Sequence, residues 1–298
     1  VENRRGEGLN APTIDLVSDD CSASISLFGG EAVSWRVSGR ELLWSRTSSH
    51  WDRVAPVLFP CVGWSRDGRI QVGGESYPMP VHGFAPSSLF ELVQRDADSA
   101  MLQLRETPDT LACYPFPFRL TVRYALSGGV LRVSVEVANT GAGDLPYACG
   151  LHPGFAWPFA GGRREDYRIE FADVESRGVP MIAAGGLFSS RTRAVSFDGR
   201  TLPLGGNLFA NEALCFLNAR SRKVSFAGPE GSIVAEADGF NHWALWSRPD
   251  APFLCIEAWT GHGDPEGFTG EFADKPSLDH LKPGETRRHD LALSWRAR

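Results

Sequence analysis

Apolar and polar residues alternate with period two along much of this chain, which is the pattern of strands that bury one face. Leu120, Val122 and Tyr124 alternate with Thr121 and Arg123. After the turn residues Ser127-Gly128-Gly129, Leu131, Val133, Val135 and Val137 alternate with Arg132, Ser134 and Glu136. This predicts a hairpin. Further short strands are expected at Ala23 to Leu27, Ala32 to Val37, Met101 to Arg105, Ile233 to Ala237, Phe253 to Ile256 and His289 to Trp295, each bounded by Gly, Pro, Asp or Asn. No segment keeps a helical period for more than about two turns. Pro and Gly punctuate the chain evenly, so the expectation is one all-β domain over 1–298, a large antiparallel β-sandwich, with no linker. Two long connections, 45–88 and 258–283, are rich in Trp, Phe and Pro, which marks them as functional loops rather than disordered ones.

Composition sharpens this picture. The 298 residues include 32 Gly and 20 Pro, and nine Trp stand against three Met, a set that favours turns and strands. Acidic and basic residues, 36 and 30, are spread along the chain and leave a net charge of −6. That distribution carries no basic footprint for nucleic acid or anionic membrane and suits a neutral small-molecule partner. The six cysteines lie far apart without a CxxC pair, which favours free buried thiols in a reduced, cytoplasmic setting, with disulfides the alternative that an even count leaves open. The polar start Val1-Glu2-Asn3-Arg4-Arg5-Gly6 has no apolar export segment, and no run is long enough to span a membrane.

Chemistry is suggested at three places. Cys255-Ile256-Glu257-Ala258-Trp259 sets one carboxylate in an apolar strand, where a charge without a role or a partner is costly. Its plain alternative is a structural ion pair with an arginine. Desolvation would raise the Glu257 pKa and make it a better base. His152 sits in the rigid corner Gly150-Leu151-His152-Pro153-Gly154-Phe155, and His82 precedes Gly83-Phe84. Taken singly, each histidine is as readily structural as catalytic; together with Glu257 they suggest a proton-transfer site. His50, His262, His280 and His289 read as mostly surface residues, with His242, beside Trp243, set apart from them. No HExxH, closely spaced His/Cys pair, P-loop, GxGxxG or GxSxG occurs, so neither a metal nor a nucleotide cofactor is expected.

Leu58-Phe59-Pro60-Cys61-Val62-Gly63, His82-Gly83-Phe84-Ala85, Gly150 to Phe155, Ile256-Glu257-Ala258-Trp259-Thr260-Gly261 and Leu281-Lys282-Pro283-Gly284-Glu285 follow in the order seen in the aldose 1-epimerases of the galactose mutarotase superfamily. The chain resembles the small bacterial members from about residue 50 to about residue 285. The resemblance implies a large twisted β-sandwich with an open sugar groove and interconversion of α and β anomers of a hexose without a cofactor. By that resemblance Glu257 is the general base at the anomeric hydroxyl, His152 the general acid at the ring oxygen, and His82 the second histidine of the site. Where the family usually has an arginine after the FPxxG segment, this chain has Trp64. Arg66 or Arg69 is then the candidate replacement cation, Trp64 itself a sugar-stacking wall, and Glu212 the candidate late acidic contact; loop charges and a loop anchor are their plain alternatives. Three alternatives accompany this reading: a hexose-6-phosphate epimerase using Arg53, Arg66 and Arg69 for the phosphate, a non-catalytic sugar-binding module, and a glycoside hydrolase pairing Glu257 with Asp264.

Overall fold

A computed structural model describes residues 11–46, 50–210 and 212–298. The amino-terminal segment discussed above lies outside the described residues. Strands dominate, and the one described α-helix, Pro108–Leu111, is four residues long. This is the expected all-β architecture of antiparallel sheets.

Its largest sheet has nine antiparallel strands in the order Thr201–Pro203, Arg168–Phe171, Lys223–Ala227, Gly231–Asp238, Thr286–Ala297, Val130–Asn139, Phe118–Ser127, Ser99–Arg105 and Glu91–Arg95. The expected hairpin lies near its centre, with Val122 opposite Val135 and Ser127 opposite Val130. Its alternation is physical: Leu120, Val122, Tyr124, Leu131 and Val133 are buried while Arg132 is exposed. A second sheet runs Leu214–Phe216, His242–Trp246, Phe253–Trp259, Gly150–Leu151 and Val57–Leu58, and Gly154–Ala156 also pairs with Phe253–Trp259. A third, of four strands, covers Thr13–Ser18, Cys21–Ser26, Ala32–Val37 and Arg40–Glu41. One core cluster joins the inner faces of all three, through residues such as Ile14, Ile25, Val122, Val135, Leu245, Leu254 and Ile256.

The strand Phe253–Trp259 is buried at all seven positions. Leu254, Ile256 and Ala258 face the main core, whereas Trp259 joins a second cluster on the opposite face with Leu58, Val62, Phe188, Cys215 and Ala244. Glu257 lies on that second face, since side chains two apart on a strand point the same way. An apolar run with one carboxylate is thus a strand covered on both sides.

Both long connections carry regular structure among their described residues. The first contains the strand Val57–Leu58 and the hairpin Arg69–Val72 with Glu75–Pro78; the second contains a 3₁₀ turn, Phe272–Asp274, and the strand Asp279–Leu281. All six cysteines are free and buried. The reading of most remaining histidines as surface residues needs correction. His289 is 1% exposed and bonded to the Tyr147 hydroxyl and the Gly239 carbonyl, because its strand is central in the nine-stranded sheet. His262 is half-buried against the Phe188 ring. His280 is exposed.

Candidate active site

Register brings Glu257 and His152 together. Gly150 and Leu151 pair with Trp259 and Ala258, and Gly154 to Ala156 pair with Cys255 to Phe253. Between these two stretches, His152 and Pro153 stand opposite Glu257 and Ile256. The His152 N–H donates to the Pro56 carbonyl at 3.2 Å, continuing the register with Val57–Leu58 on its other side. His152 Nε2 lies 3.1 Å from Glu257 Oε2, and the Trp259 indole N–H donates to the same oxygen at 3.1 Å. Two indoles and one imidazole pack on His152, and Phe253 backs the indoles. Trp51 packs on His152 at 4.9 Å between ring centroids, Trp246 meets it edge-on at 5.8 Å, and Phe253 stacks on Trp51 at 5.4 Å. The imidazole of His82 meets that of His152 edge-on at 5.5 Å. Gly154 makes room for Trp51, because a Cβ there would fall 2.9 Å from the indole.

His82 is fixed by its neighbours on the Phe59–Gly63 segment. Its N–H donates to the Gly63 carbonyl at 2.9 Å, and its Nδ1 accepts the Gly63 N–H at 3.1 Å. A neutral His82 therefore carries its proton on Nε2. The backbone there is left-handed, with φ of +64° at His82 and +75° at Gly83. Gly83 is required by close approach, since a Cβ would stand 2.1 Å from the Phe59 carbonyl oxygen.

Burial dominates the electrostatics. It raises the Glu257 carboxyl well above its ordinary range, opposed by the Trp259 hydrogen bond. It lowers His152 well below the usual imidazole range, with His82 adding to the effect, and pushes His82 down to about 4. His152 Nδ1 is buried without a partner, a further reason why an imidazolium with two N–H donors is disfavoured there.

The remaining candidates fall in different places. Trp64 follows the Gly63 that holds His82; it is 47% exposed and packs on the turn at Gly186, where a Cβ would meet its ring. Arg66 donates through Nε to the Phe268 carbonyl at 2.7 Å, and Arg69 is bonded to Ser76 within its own hairpin. Glu212 is exposed with φ of +69°, and its carbonyl accepts from Arg193. Arg53 is bonded to Pro86 and Ser87. The three arginines considered for a phosphate thus have separate partners. Asp264, considered as a second catalytic carboxylate, is paired with buried Lys275 at 2.9 Å and accepts the Arg66 N–H at 2.8 Å. That commitment makes it a structural ion pair, contrary to the hydrolase alternative. Among the described residues no group of three or more His, Cys, Asp or Glu could hold a metal ion, and no described helix is long and apolar enough to cross a membrane.

Sequence reasoning missed Trp51, Trp246 and the tie from Trp259 to Glu257. Only the last had a signal, the i, i+2 spacing that puts both side chains on one face of a strand.

The structure thus presents a large antiparallel β-sandwich with an enclosed carboxyl–imidazole pair, and comparison gives its family. Residues 12–294 match the aldose 1-epimerase family, and the chain belongs to it. It is 27% identical over 295 residues to protein LacX of Lactococcus lactis subsp. lactis, covering 95% of this chain and 99% of LacX. In structure it is similar to a galactose mutarotase-like protein from Lactobacillus casei, with a TM-score of 0.89, 25% identity and coverage of 96% and 100% of the two chains. A galactose mutarotase related enzyme from Lactobacillus acidophilus has the same fold, with a TM-score of 0.89 at 24% identity and coverage of 96% and 97%.

Proposed function

We propose that this chain, acting as one domain, is an aldose 1-epimerase that interconverts the α and β anomers of a free hexose. The observation that carries the reading is the 3.1 Å contact between Glu257 and His152 in a desolvated corner beside His82. Opening a hemiacetal ring removes a proton from O1 and delivers one to O5, two oxygens bonded to the same carbon. One base and one acid side by side suit that demand. Glu257 takes the O1 proton while His152 gives the Nε2 proton to O5. The C1–O5 bond breaks, and the aldehyde forms. Rotation about C1–C2 presents the other carbonyl face, and the two transfers run backward to close the ring.

Burial favours these steps. In the singly protonated pair, the form with carboxylate and imidazolium is the reactive one, and proton transfer to the sugar turns it into a neutral carboxyl and a neutral imidazole. A raised carboxyl pKa and a lowered imidazole pKa both favour that outcome. His82 stays neutral above about pH 4 and offers an Nε2–H donor. Trp64, half-exposed next to Gly63, supplies an apolar wall on which a sugar face stacks. The separate backbone partners of Arg53, Arg66 and Arg69 favour a free sugar over a phosphorylated one, and Arg66, Arg69 and Glu212 remain peripheral contacts at most in this reading. Six reduced thiols are consistent with a cytoplasmic setting.

The test is anomer exchange, followed by NMR saturation transfer over a panel of free and phosphorylated hexoses. Glu257→Gln keeps the shape but removes the proton acceptor, so exchange should fall by roughly 100-fold or more while sugar affinity persists. A well-folded Glu257→Gln protein with wild-type exchange would refute the proposal. A wild type that binds sugar without exchanging anomers would identify a binding module.

A further inference from the structure

We infer that Trp259 is a positioning residue that divides the two oxygens of Glu257 between anchoring and catalysis, and that Gly150 is the seat that lets it do so. The inference rests on the epimerase reading and assigns a new role within that site.

Trp259 and Glu257 lie two apart on one strand, so both side chains stand on the second face. Trp259 is 4% exposed, and a buried indole N–H requires an acceptor. It finds Glu257 Oε2 at 3.1 Å. The same oxygen faces His152 Nε2 at 3.1 Å. Oε2 is thereby occupied from two sides, whereas Oε1 accepts no hydrogen bond from the described residues and is not among their enclosed, partnerless atoms. Oε1 is the oxygen left to take a proton from a ligand.

The indole can bend back toward Glu257 only because of what lies across the ladder. Gly150 is the register partner of Trp259, and a Cβ at Gly150 would stand 2.7 Å from Trp259 Cδ1, 3.2 Å from the Ala258 carbonyl and 3.3 Å from Leu58 Cδ1. Backbone and a packed leucine block two ways out, so a side chain at 150 displaces the indole. The glycine of one motif and the tryptophan of another thus form one device. His242, the register partner on the other side, has its Nδ1 on the Asn218 N–H at 2.9 Å and does not compete for Glu257. The ionisable groups facing Glu257 are His152, across from it, and the thiols of Cys255 on its own strand and Cys215 on the edge strand, and burial disfavours the charged form of each.

The experiment compares wild type, Trp259→Phe, Gly150→Ala and the double variant. Three readouts are followed: the pH profile of anomer exchange, the KM and kcat split, and the Glu257 carboxyl titration by infrared difference spectroscopy against Glu257→Gln. Removing an N–H donated to the carboxylate should raise the Glu257 pKa by about one unit and move the alkaline limb of kcat upward by the same amount. Exchange at neutral pH should drop about tenfold in kcat with KM little changed. Gly150→Ala should shift all three readouts in the same direction, and the double variant should match Trp259→Phe rather than add to it. A folded Trp259→Phe protein whose carboxyl titration equals that of wild type overturns the inference, whether or not anomers exchange. Absence of exchange in the wild type, with the titration shift present, overturns the epimerase reading and leaves the Trp259 tie standing.

Discussion

At Glu257 and His152 two opposite shifts have one cause. Both groups are almost wholly enclosed, and enclosure penalises whichever form is charged, so the carboxyl rises and the imidazole falls. Such a pair titrates as a unit. On the acid side, a second proton binds only well below the ordinary imidazole value of 6.5; on the alkaline side, the single proton leaves only well above the ordinary carboxyl value of 4.5. The singly protonated pair, resting as neutral carboxyl and neutral imidazole and reaching its reactive carboxylate–imidazolium form by one internal proton shift, therefore persists across the interval between. The acid limb of anomer exchange should therefore be displaced well below pH 6.5, with His82 charging near pH 4. A profile with a half-maximal acid limb at 6.5 would show an imidazole titrating as if solvated, and would defeat this account of the site. The identity of the three groups was legible because lone polar residues among apolar ones invite a reason. The 3.1 Å contact was not, since it arises from pairing between strands about a hundred residues apart in sequence.

Alternation revealed those elements whose two faces meet different surroundings, and little else. The hairpin Phe118–Ser127 with Val130–Asn139 was legible because one face is core and the other solvent-facing. His242–Trp246 went unread because all but one of its positions are buried, and Glu91–Arg95 because all of its positions are exposed at the sheet edge. Arginine roles were likewise illegible: Arg66 and Arg69 are three apart, yet one reaches Phe268 and the other folds back on Ser76. The His82 turn shows what an element requires beyond pattern. Gly83 combines φ of +75° with a hypothetical Cβ only 2.1 Å from the Phe59 carbonyl oxygen, and backbone cannot swing aside as a side chain can. Gly83→Ala should lower unfolding free energy by more than about 2 kcal/mol, combining left-handed strain with displaced backbone. It should also slow anomer exchange, because the Phe59–Gly63 segment that orients His82 moves with it. Denaturant unfolding with an unchanged midpoint would show that the turn relaxes freely.

Across the molecule, a buried ion pair within residues 258–283 fixes Asp264, which ties that connection to 45–88 through Trp64 and Arg66. Lys275 Nζ is fully enclosed and lies 2.9 Å from Asp264 Oδ1, whose other oxygen accepts the Arg66 N–H, while the Asp264 N–H donates to the Trp64 carbonyl at 2.8 Å. Residues 258–283 thereby grip the segment that carries Gly63, Trp64 and, through Gly63, the orientation of His82. Exchanging both charges for apolar or neutral groups of similar size is often tolerated, whereas removing one leaves the other enclosed and uncompensated. Lys275→Met should therefore destabilise the fold by about 3 to 5 kcal/mol. Lys275→Met with Asp264→Asn should recover most of that loss, because the asparagine oxygen still accepts from Arg66. In the single variant, anomer exchange measured below its unfolding temperature should fall with kcat and KM both altered, since Trp64 and His82 lose a common support; in the double variant it should return toward wild type. Urea unfolding of all four combinations closes the cycle. A Lys275→Met protein as stable as wild type would show that Asp264 finds water or another partner, and that the two connections are held together by the Arg66 bond to the Phe268 carbonyl and the Gly73 and Gly74 N–H bonds to Glu271 instead.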